Sequence, residues 1–194
     1  MQEYQSHFMT PYGAGIVYAS ELGVTCVELP DVCRPDTSSL QQRHAFEQSE
    51  ISIDSALLLQ RYFFGERTCF SDIPVDISAI SSFRQKVLYI IRKLEFGEIC
   101  SYGQVAEQCG FTRAARAVGG ALASNPIPVI IPCHRVVASN GCLTGFSAPG
   151  GVNAKKVLLQ LEGIEFKGLL VTTKQMVMHR TSTDKKLFFK VETT

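Results

Sequence analysis

Cys133 and His134 are the residues that could most directly do chemistry, because they place a thiol beside an imidazole. Cysteine attacks as the thiolate, and its usual pKa of about 8.5 leaves little of it ionised at neutral pH. A neighbouring base or cation is therefore needed, and His134 and Arg135 follow the thiol at once. Since Pro132 precedes the thiol, we expect an extended segment and no helix. The pattern indicates a displayed cysteine nucleophile.

Two short helices joined by a turn are predicted upstream of this cysteine. Ser101 and Gln104 have the spacing of a capping box, which predicts a helix to about Cys109. Thr112 can cap the next helix, over about residues 113–124. Such a pair is typical of a helix-turn-helix, although many helical cores contain one. The second helix is rich in alanine and glycine, which suits either close contact with a nucleic acid or tight helix packing.

The N-terminal part of the sequence predicts a hairpin followed by a helix. The β-prone runs 15–19 and 24–29 flank a turn that contains glycine. Residues 53–64 are apolar at helical spacing and are followed by glycine. Residues 66–78 contain proline and acidic residues without a clear period, and they are the candidate linker.

The C-terminal part of the sequence contains further predicted elements. Ser82 and Gln85 match a capping box and open an amphipathic helix. The apolar run 129–131 lies between prolines and predicts a strand that leads to the thiol. A helix is predicted over about 152–162, and a strand over 175–179 is expected to precede a polar, mobile tail.

Composition limits the class of protein. The 194 residues are 45% hydrophobic, which is enough for a core, and no run approaches the length of a membrane span. The N-terminus has no secretory pattern, and the seven cysteines have no framework spacing. We therefore expect reduced thiols and a cytoplasmic protein, or a nuclear one in a eukaryote, that is not secreted. No pair of ligands has the spacing of a structural zinc site, so no metal is expected.

Charge is unevenly distributed along the chain. Residues 1–78 carry a net charge of −7, residues 79–170 carry +5 and residues 171–194 carry +3. A basic C-terminal half suits a polyanion such as DNA, and an ordinary solvated surface is the alternative.

The segment 131–136, Ile-Pro-Cys-His-Arg-Val, resembles the active-site motif of the 6-O-alkylguanine-DNA alkyltransferases, the methylated-DNA–protein-cysteine methyltransferases. Other segments resemble that family in the same order and spacing, namely 96–98, 101–106, 114–121, 125–126 and 161–163. The resemblance covers about residues 80–165. The N-terminal part matches only in its layout.

The resemblance implies an α+β fold in three parts. Residues 1–78 would form a small N-terminal hairpin or sheet-plus-helix domain of ribonuclease H-like layout, with the linker. Residues 79–170 would form a mainly helical C-terminal domain, with the helix-turn-helix and short strands, for DNA binding and alkyl acceptance. Residues 171–194 would be a C-terminal extension.

The function implied by the resemblance is DNA repair by direct reversal. A methyl or other alkyl group would pass from the 6-oxygen of guanine, or the 4-oxygen of thymine, to Cys133 after base flipping. The transfer would be stoichiometric and irreversible, and it would need no cofactor. The partner would be double-stranded DNA containing alkylated guanine, bound through its minor groove by a monomer with little sequence specificity.

The resemblance also implies roles for individual catalytic residues. Cys133 would be the nucleophile and Glu162 would orient His134, the base. His134 would act through a water, because neighbouring residues of an extended chain point to opposite sides. Tyr102 would supply a proton to the departing guanine. Asn125 would connect the helix-turn-helix to the active-site loop.

DNA-binding and pocket residues are implied in the same way. Arg116 would replace the flipped base in the stack and so recover part of the cost of extrusion. The implied DNA-binding set is Arg116, Ala114, Ala115, Gly119 and Tyr102, and the implied guanine pocket is Pro128, Val136, Phe146 and Ser147. Some members of the family have tyrosine where Phe146 stands, and the 146–151 loop is about two residues longer here. Both differences bear on bulky adducts and inhibitors rather than on methyl transfer.

Two other functions fit part of the pattern. An alkyltransferase-like protein would bind and flip damaged bases without accepting the alkyl group, but the presence of Cys133 argues against it. A Cys-His hydrolase would turn over repeatedly and would not need a helix-turn-helix, so the Arg116 segment argues against that function.

Overall fold

The structure is a computed structural model, and it describes residues 3–35 and 47–172 together with two short strands further on. Its strands are β1 (Tyr4–Thr10), β2 (Gly13–Ala19), β3 (Val24–Glu28), β4 (Glu98–Ser101), β5 (Val136–Val137), β6 (Phe166–Lys167), β7 (Leu170–Val171), β8 (Val177–His179) and β9 (Phe188–Lys190). Its helices are α1 (Glu50–Phe63), α2 (Ser82–Ile91), α3 (Tyr102–Gln108), α4 (Ala115–Ala123) and α5 (Gly151–Leu161). Within the described ranges, no helix is both long and apolar enough to span a membrane. This mixture of helices and small sheets confirms the α+β class.

The N-terminal sheet has three antiparallel strands in the order β1-β2-β3. The β2–β3 hairpin confirms the sequence prediction. Strand β1 was not predicted, because its alternation depends partly on polar residues: Ser6 and Thr10 point inward with Phe8. Gly15 in β2 lies beneath the Phe8 ring, where an added Cβ would come within 2.2 Å of a ring carbon. Only glycine allows this close packing.

Helix α1 covers the N-terminal sheet and packs mainly against β1. It begins three residues before the predicted start, because Ser49 and Ser52 form a reciprocal capping box. It ends at Phe63, close to the prediction. Its buried side includes Leu59, Tyr62 and Phe63. Helix α1 therefore directs a fully buried tyrosine into the centre of the protein.

The predicted linker, residues 66–78, packs closely against the N-terminal sheet. Val24 N donates to Pro74 O at 2.9 Å, and Asp76 N donates to Val24 O at 2.8 Å. Phe70 and Ile77 are buried in a core cluster that also includes residues of α1, α2 and α4. One continuous core therefore lies beneath both halves of the chain.

Helix α2 does not begin with the capping box predicted from the sequence. Its N-cap is Ser81, one residue before the predicted cap, and no side chain caps it. Gln85 then lies one position too far along the helix to complete the box. Its amide donates instead to Ser78 O at 3.3 Å and Ile80 O at 2.8 Å. The prediction of a Ser82–Gln85 box was wrong.

The helix-turn-helix is formed by α3 and α4. Its first capping box is confirmed, because Ser101 Oγ accepts from Gln104 N at 3.2 Å and Gln104 Oε1 accepts from Ser101 N at 2.7 Å. Helix α4 starts at Ala115, two residues later than predicted. Arg113 has a φ of 65°, in the left-handed region, so it cannot belong to the helix. The predicted cap at Thr112 was therefore wrong.

The chain around the cysteine is compact where the sequence predicted extended backbone. Val129 has a φ of 71° and Ile131 N donates to Ile127 O at 2.9 Å, so the run 129–131 is a turn and not a strand. Cys133–Arg135 then forms one turn of 3-10 helix. Pro132 is its N-cap, a position where the missing N–H is no obstacle. The expectation of an extended, non-helical segment was wrong.

A second sheet, in the order β5-β4-β9-β8, holds the two functional segments together. In the parallel β4–β5 pair, Ser101 is opposite Val137. Strand β4 leads directly into Tyr102, while β5 directly follows the Cys133–Arg135 turn. Strand β8 confirms part of the strand predicted over 175–179. Residues 175–176 and most of the predicted tail lie outside the described residues.

The two serines of the predicted capping boxes allow a matched test of the helix boundaries. Ser101→Ala removes the side-chain acceptor at the start of α3 and should lower the free energy of unfolding by about 1 kcal/mol. Ser82→Ala, at the first position of α2, should change it by less than about 0.5 kcal/mol. Urea denaturation of the two variants and the parent measures the difference. Equal losses would contradict the assigned caps.

Candidate active site

A cavity of about 540 Å³ lies between α4 and the loop 144–147, and Cys133 is part of its wall. Of the residues predicted from the sequence, Tyr102, Ala115, Arg116, Gly119, Phe146 and Ser147 also line it. The predicted catalytic residues Asn125, His134 and Glu162 do not line it, and three of the predicted DNA-binding and pocket residues are also absent from the described lining. Ala114 is the N-cap of α4, Pro128 is half-buried in the preceding turn and Val136 is fully buried in the core.

The thiol of Cys133 is only 5% exposed, and Asn125 fixes its position. Asn125 Nδ2 donates to Cys133 Sγ at 3.1 Å and to Ile131 O at 2.8 Å. Burial raises the pKa of the Cys133 thiol, and this outweighs the lowering effects of the Asn125 hydrogen bond and the Lys155 charge. The resting thiol is therefore protonated at neutral pH, so attack requires a base.

His134 is the candidate for that base, and its ring is completely buried. Its Nε2 lies 2.7 Å from Glu162 Oε1. Because the carboxylate accepts, Nε2 carries the hydrogen and the lone pair is on Nδ1. Burial lowers the pKa of His134, although Glu162 opposes this, so the ring is neutral at pH 7. Among the described residues, the buried Nδ1 has no hydrogen-bond partner, and no hydrogen bond joins it to Cys133.

Glu162 is the buried acceptor at the end of α5. Arg135 Nε donates to its Oε2 and Arg135 Nη2 to its Oε1, both at 2.9 Å, while Gly97 N donates to Oε2 at 3.1 Å. Burial alone would raise the pKa of Glu162, but the charges and hydrogen bonds of His134 and Arg135 hold it well below its usual range. Arg135 is therefore held by a buried carboxylate.

Lys155 is a site residue that the sequence analysis missed. It is fully buried on α5, and its Nζ donates to Val136 O at 2.6 Å, Thr144 O at 3.0 Å and the Tyr102 hydroxyl at 3.3 Å. Burial lowers its pKa to about 8. The signal was available, because Lys155 interrupts the buried side of an amphipathic helix. It connects Tyr102 to the loop that walls the cavity.

Tyr62 was missed as well. Its hydroxyl donates to Glu162 Oε1 at 2.9 Å, although the two residues are 100 positions apart in the chain. A tyrosine among apolar residues of a predicted helix carries no local sign of this contact, so the sequence alone could not have found it.

Taken together, the fold and the site define a helix-turn-helix protein that presents a cysteine nucleophile to a cavity. The described residues contain no group of three or more His, Cys, Asp or Glu side chains that could hold a metal ion.

Comparisons with known proteins agree with this class. The DNA-binding domain of 6-O-methylguanine DNA methyltransferase matches residues 82–164. A methylated-DNA–protein-cysteine methyltransferase of Haemophilus influenzae is 34% identical over 163 residues, which are 84% of this chain and 88% of the relative. One from Metallosphaera sedula is 38% identical over 156 residues, 80% of this chain and 90% of the relative.

Two solved structures of methyltransferases are also similar to this chain. The crystal structure of Mycobacterium tuberculosis O6-methylguanine methyltransferase superimposes with a TM-score of 0.64 at 32% identity, over 83% of this chain and 93% of that one. Another structure, of the same bacterium's protein in complex with DNA, gives a TM-score of 0.63 over 82% and 92% of the two chains. The chain belongs to the methylated-DNA–protein-cysteine methyltransferase family.

Glu162→Gln should be strongly destabilising, because it leaves the buried Arg135 without its counter-ion. We expect a loss of about 3–5 kcal/mol in the free energy of unfolding at pH 7. Since the pKa of Glu162 is depressed in the folded protein, its contribution is complete above the usual pKa of about 4.3 and is lost as pH falls below it. The difference from the parent should shrink by about 1.4 kcal/mol at pH near 3.3.

Glu66→Gln is the matched control, since it breaks the exposed Arg61–Glu66 pair and should cost less than about 1 kcal/mol at any pH. Urea denaturation at several pH values measures both variants. A pH-independent loss in Glu162→Gln would contradict the ionised state assigned to Glu162.

Proposed function

We propose that this protein repairs alkylated DNA by direct reversal, moving the alkyl group from the 6-oxygen of guanine to Cys133. The observation that carries the proposal is the cavity, whose wall includes both Cys133 and Arg116 of the helix-turn-helix. The thiol has a neutral base in the next residue, and membership of the family supports the same reaction.

The helix-turn-helix would bind double-stranded DNA through the minor groove. Helix α4 presents mainly alanine and glycine, which favours contact with the shape of the duplex over reading of base edges. Arg116 would enter the stack in place of the extruded guanine, and the guanine would occupy the cavity. We therefore expect little sequence specificity and binding as a monomer.

The transfer can be written with its protons balanced. The proton of Cys133 Sγ passes through a water to Nδ1 of His134, whose Nε2 stays hydrogen-bonded to Glu162. The thiolate attacks the alkyl carbon in line, so that the S–C bond forms as the C–O bond breaks and the electron pair goes to guanine. Tyr102 then donates its hydroxyl proton to the guanine.

Lys155 completes this step by acting on Tyr102. Its Nζ already donates to the Tyr102 oxygen at 3.3 Å, so it stabilises the phenolate that remains after the proton has left. The product is a thioether on Cys133. Because a thioether has no acidic proton and is a poor leaving group, each molecule accepts one alkyl group only.

A methyl group on guanine, and on the 4-oxygen of thymine, is the proposed substrate. Phe146 supplies a stacking face without a hydroxyl.

The nucleophile must stay reduced, which supports a cytoplasmic location, or a nuclear one in a eukaryote.

Incubation with duplex DNA that contains O6-methylguanine should add one methyl group to the peptide that contains Cys133, with at most one per protein. Intact-protein and peptide mass spectrometry measure this directly. Cys133→Ser should accept none, whereas Cys69→Ser, at an exposed cysteine outside the cavity lining, should react like the parent. Repeated turnover, or methylation of another residue, would contradict the proposal.

Arg116→Ala should slow transfer from duplex DNA by about 10–100-fold, because the vacated stack is no longer filled during extrusion. Transfer from the free base O6-methylguanine, which needs no extrusion, should change little. Arg61→Ala removes an equal charge from an exposed position on α1 and should leave both rates unchanged. Single-turnover kinetics measure both transfer rates. An equal fold-decrease in the rates for duplex DNA and for the free base would contradict the role of Arg116.

A further inference from the structure

Tyr62 is a buried polar group that the proposed reaction does not yet use. It is the third residue whose side chain donates to Glu162, and it comes from α1, outside the segment that carries the family's motifs. Its side chain is fully buried. A phenol buried at this depth needs a hydrogen-bond partner, so the identity of that partner is informative.

The position of the Tyr62 hydroxyl is determined by aromatic packing. The ring meets Phe63 edge-on at a centroid distance of 5.4 Å and lies within 6.2 Å of Phe70 and Phe96. It also lies 6.4 Å from the His134 ring. In this packing the hydroxyl lies 2.9 Å from Glu162 Oε1 and 3.4 Å from His134 Nε2.

The single hydroxyl proton of Tyr62 goes to Glu162. Glu162 Oε1 is 2.9 Å away, whereas Leu158 O and His134 Nε2 are both at 3.4 Å. Nε2 already carries a hydrogen that it donates to the same carboxylate oxygen. Burial and the negative charge of Glu162 raise the pKa of Tyr62 well above its ordinary value, so the hydroxyl remains a donor.

We propose that Tyr62 is a positioning residue for alkyl transfer: it shares Glu162 Oε1 with His134 and thereby sets how strongly the imidazole holds a proton. The inference rests on the proposed function, in which His134 must be neutral to accept the proton of Cys133. A carboxylate that also accepts from a phenol stabilises an imidazolium less than an unshared carboxylate does. Tyr62 therefore keeps the base free at lower pH.

The other charged groups around His134 remain constant in this comparison. Glu162 favours the protonated ring, while Arg135 and Lys155 disfavour it. All three side chains stay in place when the Tyr62 hydroxyl is removed, and of the three only Glu162 loses a hydrogen bond. Any change in the titration of His134 on that removal therefore reports the shared hydrogen bond.

The first experiment is Tyr62→Phe in the full chain, with Tyr89→Phe, at a half-exposed tyrosine of α2, as the matched control. The phenyl ring preserves the aromatic packing. The titration of His134 is followed by 15N NMR, which requires no alkyl transfer. We expect the pKa of His134 to rise by about half to one unit in Tyr62→Phe and to be unchanged in Tyr89→Phe.

The second readout is the pH dependence of single-turnover transfer to duplex DNA. The acid limb of the pH profile should move up in pH by the same amount in Tyr62→Phe. At acidic pH the variant should then react about 3–10-fold more slowly than the parent, and at higher pH the two rates should be equal. A loss that is uniform across pH would indicate a structural role and overturn the proposal. An unshifted His134, or one that stays neutral throughout in both proteins, would overturn it too.

Replacement of Tyr62 by 3-fluorotyrosine gives a test of opposite sign. Fluorine makes the hydroxyl a stronger donor and barely changes the ring, so the pKa of His134 should fall rather than rise. A rise, or no shift, would overturn the proposal. If neither the parent nor any variant transfers an alkyl group, the proposed function fails, while the two NMR titrations still decide the role of Tyr62.

Discussion

A single buried carboxylate organises this protein. Glu162 is 1% exposed, and an isolated carboxylate at such a depth would be protonated rather than ionised. It stays ionised because Arg135 contacts both its oxygens and three further donors complete the shell: His134, Tyr62 and the backbone of Gly97. Removal of any one side-chain donor would change how strongly the carboxylate interacts with the remaining donors. The carboxylate therefore couples structure and chemistry.

The tautomer of His134, the residue after Cys133, follows from this carboxylate. By accepting from Nε2 it assigns the hydrogen to that nitrogen and leaves the lone pair of His134 on Nδ1. Burial keeps the imidazole neutral and the Cys133 thiol protonated. The resting site therefore holds a thiol and not a thiolate. This suits a nucleophile that can be used only once, because unproductive alkylation of a permanent thiolate would consume the protein.

The sequence pattern predicted the features that depend on residues close together in the chain. The motif around Cys133, the Ser101 cap and the spacing of α5 were all readable, because each depends on neighbours within four residues along the chain. Errors occurred where neighbouring signals competed. The box at Ser82 failed by one position, and the prolines before Cys133 favoured a turn and a 3-10 helix over a strand.

Contacts between distant parts of the chain could not be predicted in this way. Lys155 could have been noticed as a charge on an apolar stripe, but its partners lie 10 to 53 positions away. Tyr62 gave no signal at all, because its partner lies 100 positions further along the chain. The packing of α1 against the C-terminal half is what creates that contact.

The hydrogen bonds around Glu162 include one from the N-terminal part of the chain, donated by Tyr62 of α1. The segment that matches the family's DNA-binding domain, residues 82–164, contains Cys133, His134 and Glu162. The carboxylate nevertheless completes its hydrogen bonds with a residue of α1, and the same core cluster continues from the N-terminal sheet to the helix-turn-helix. A displacement of α1 would remove a donor from Glu162 and alter the basicity of His134. The N-terminal part is therefore a component of the chemistry as well as a support for it.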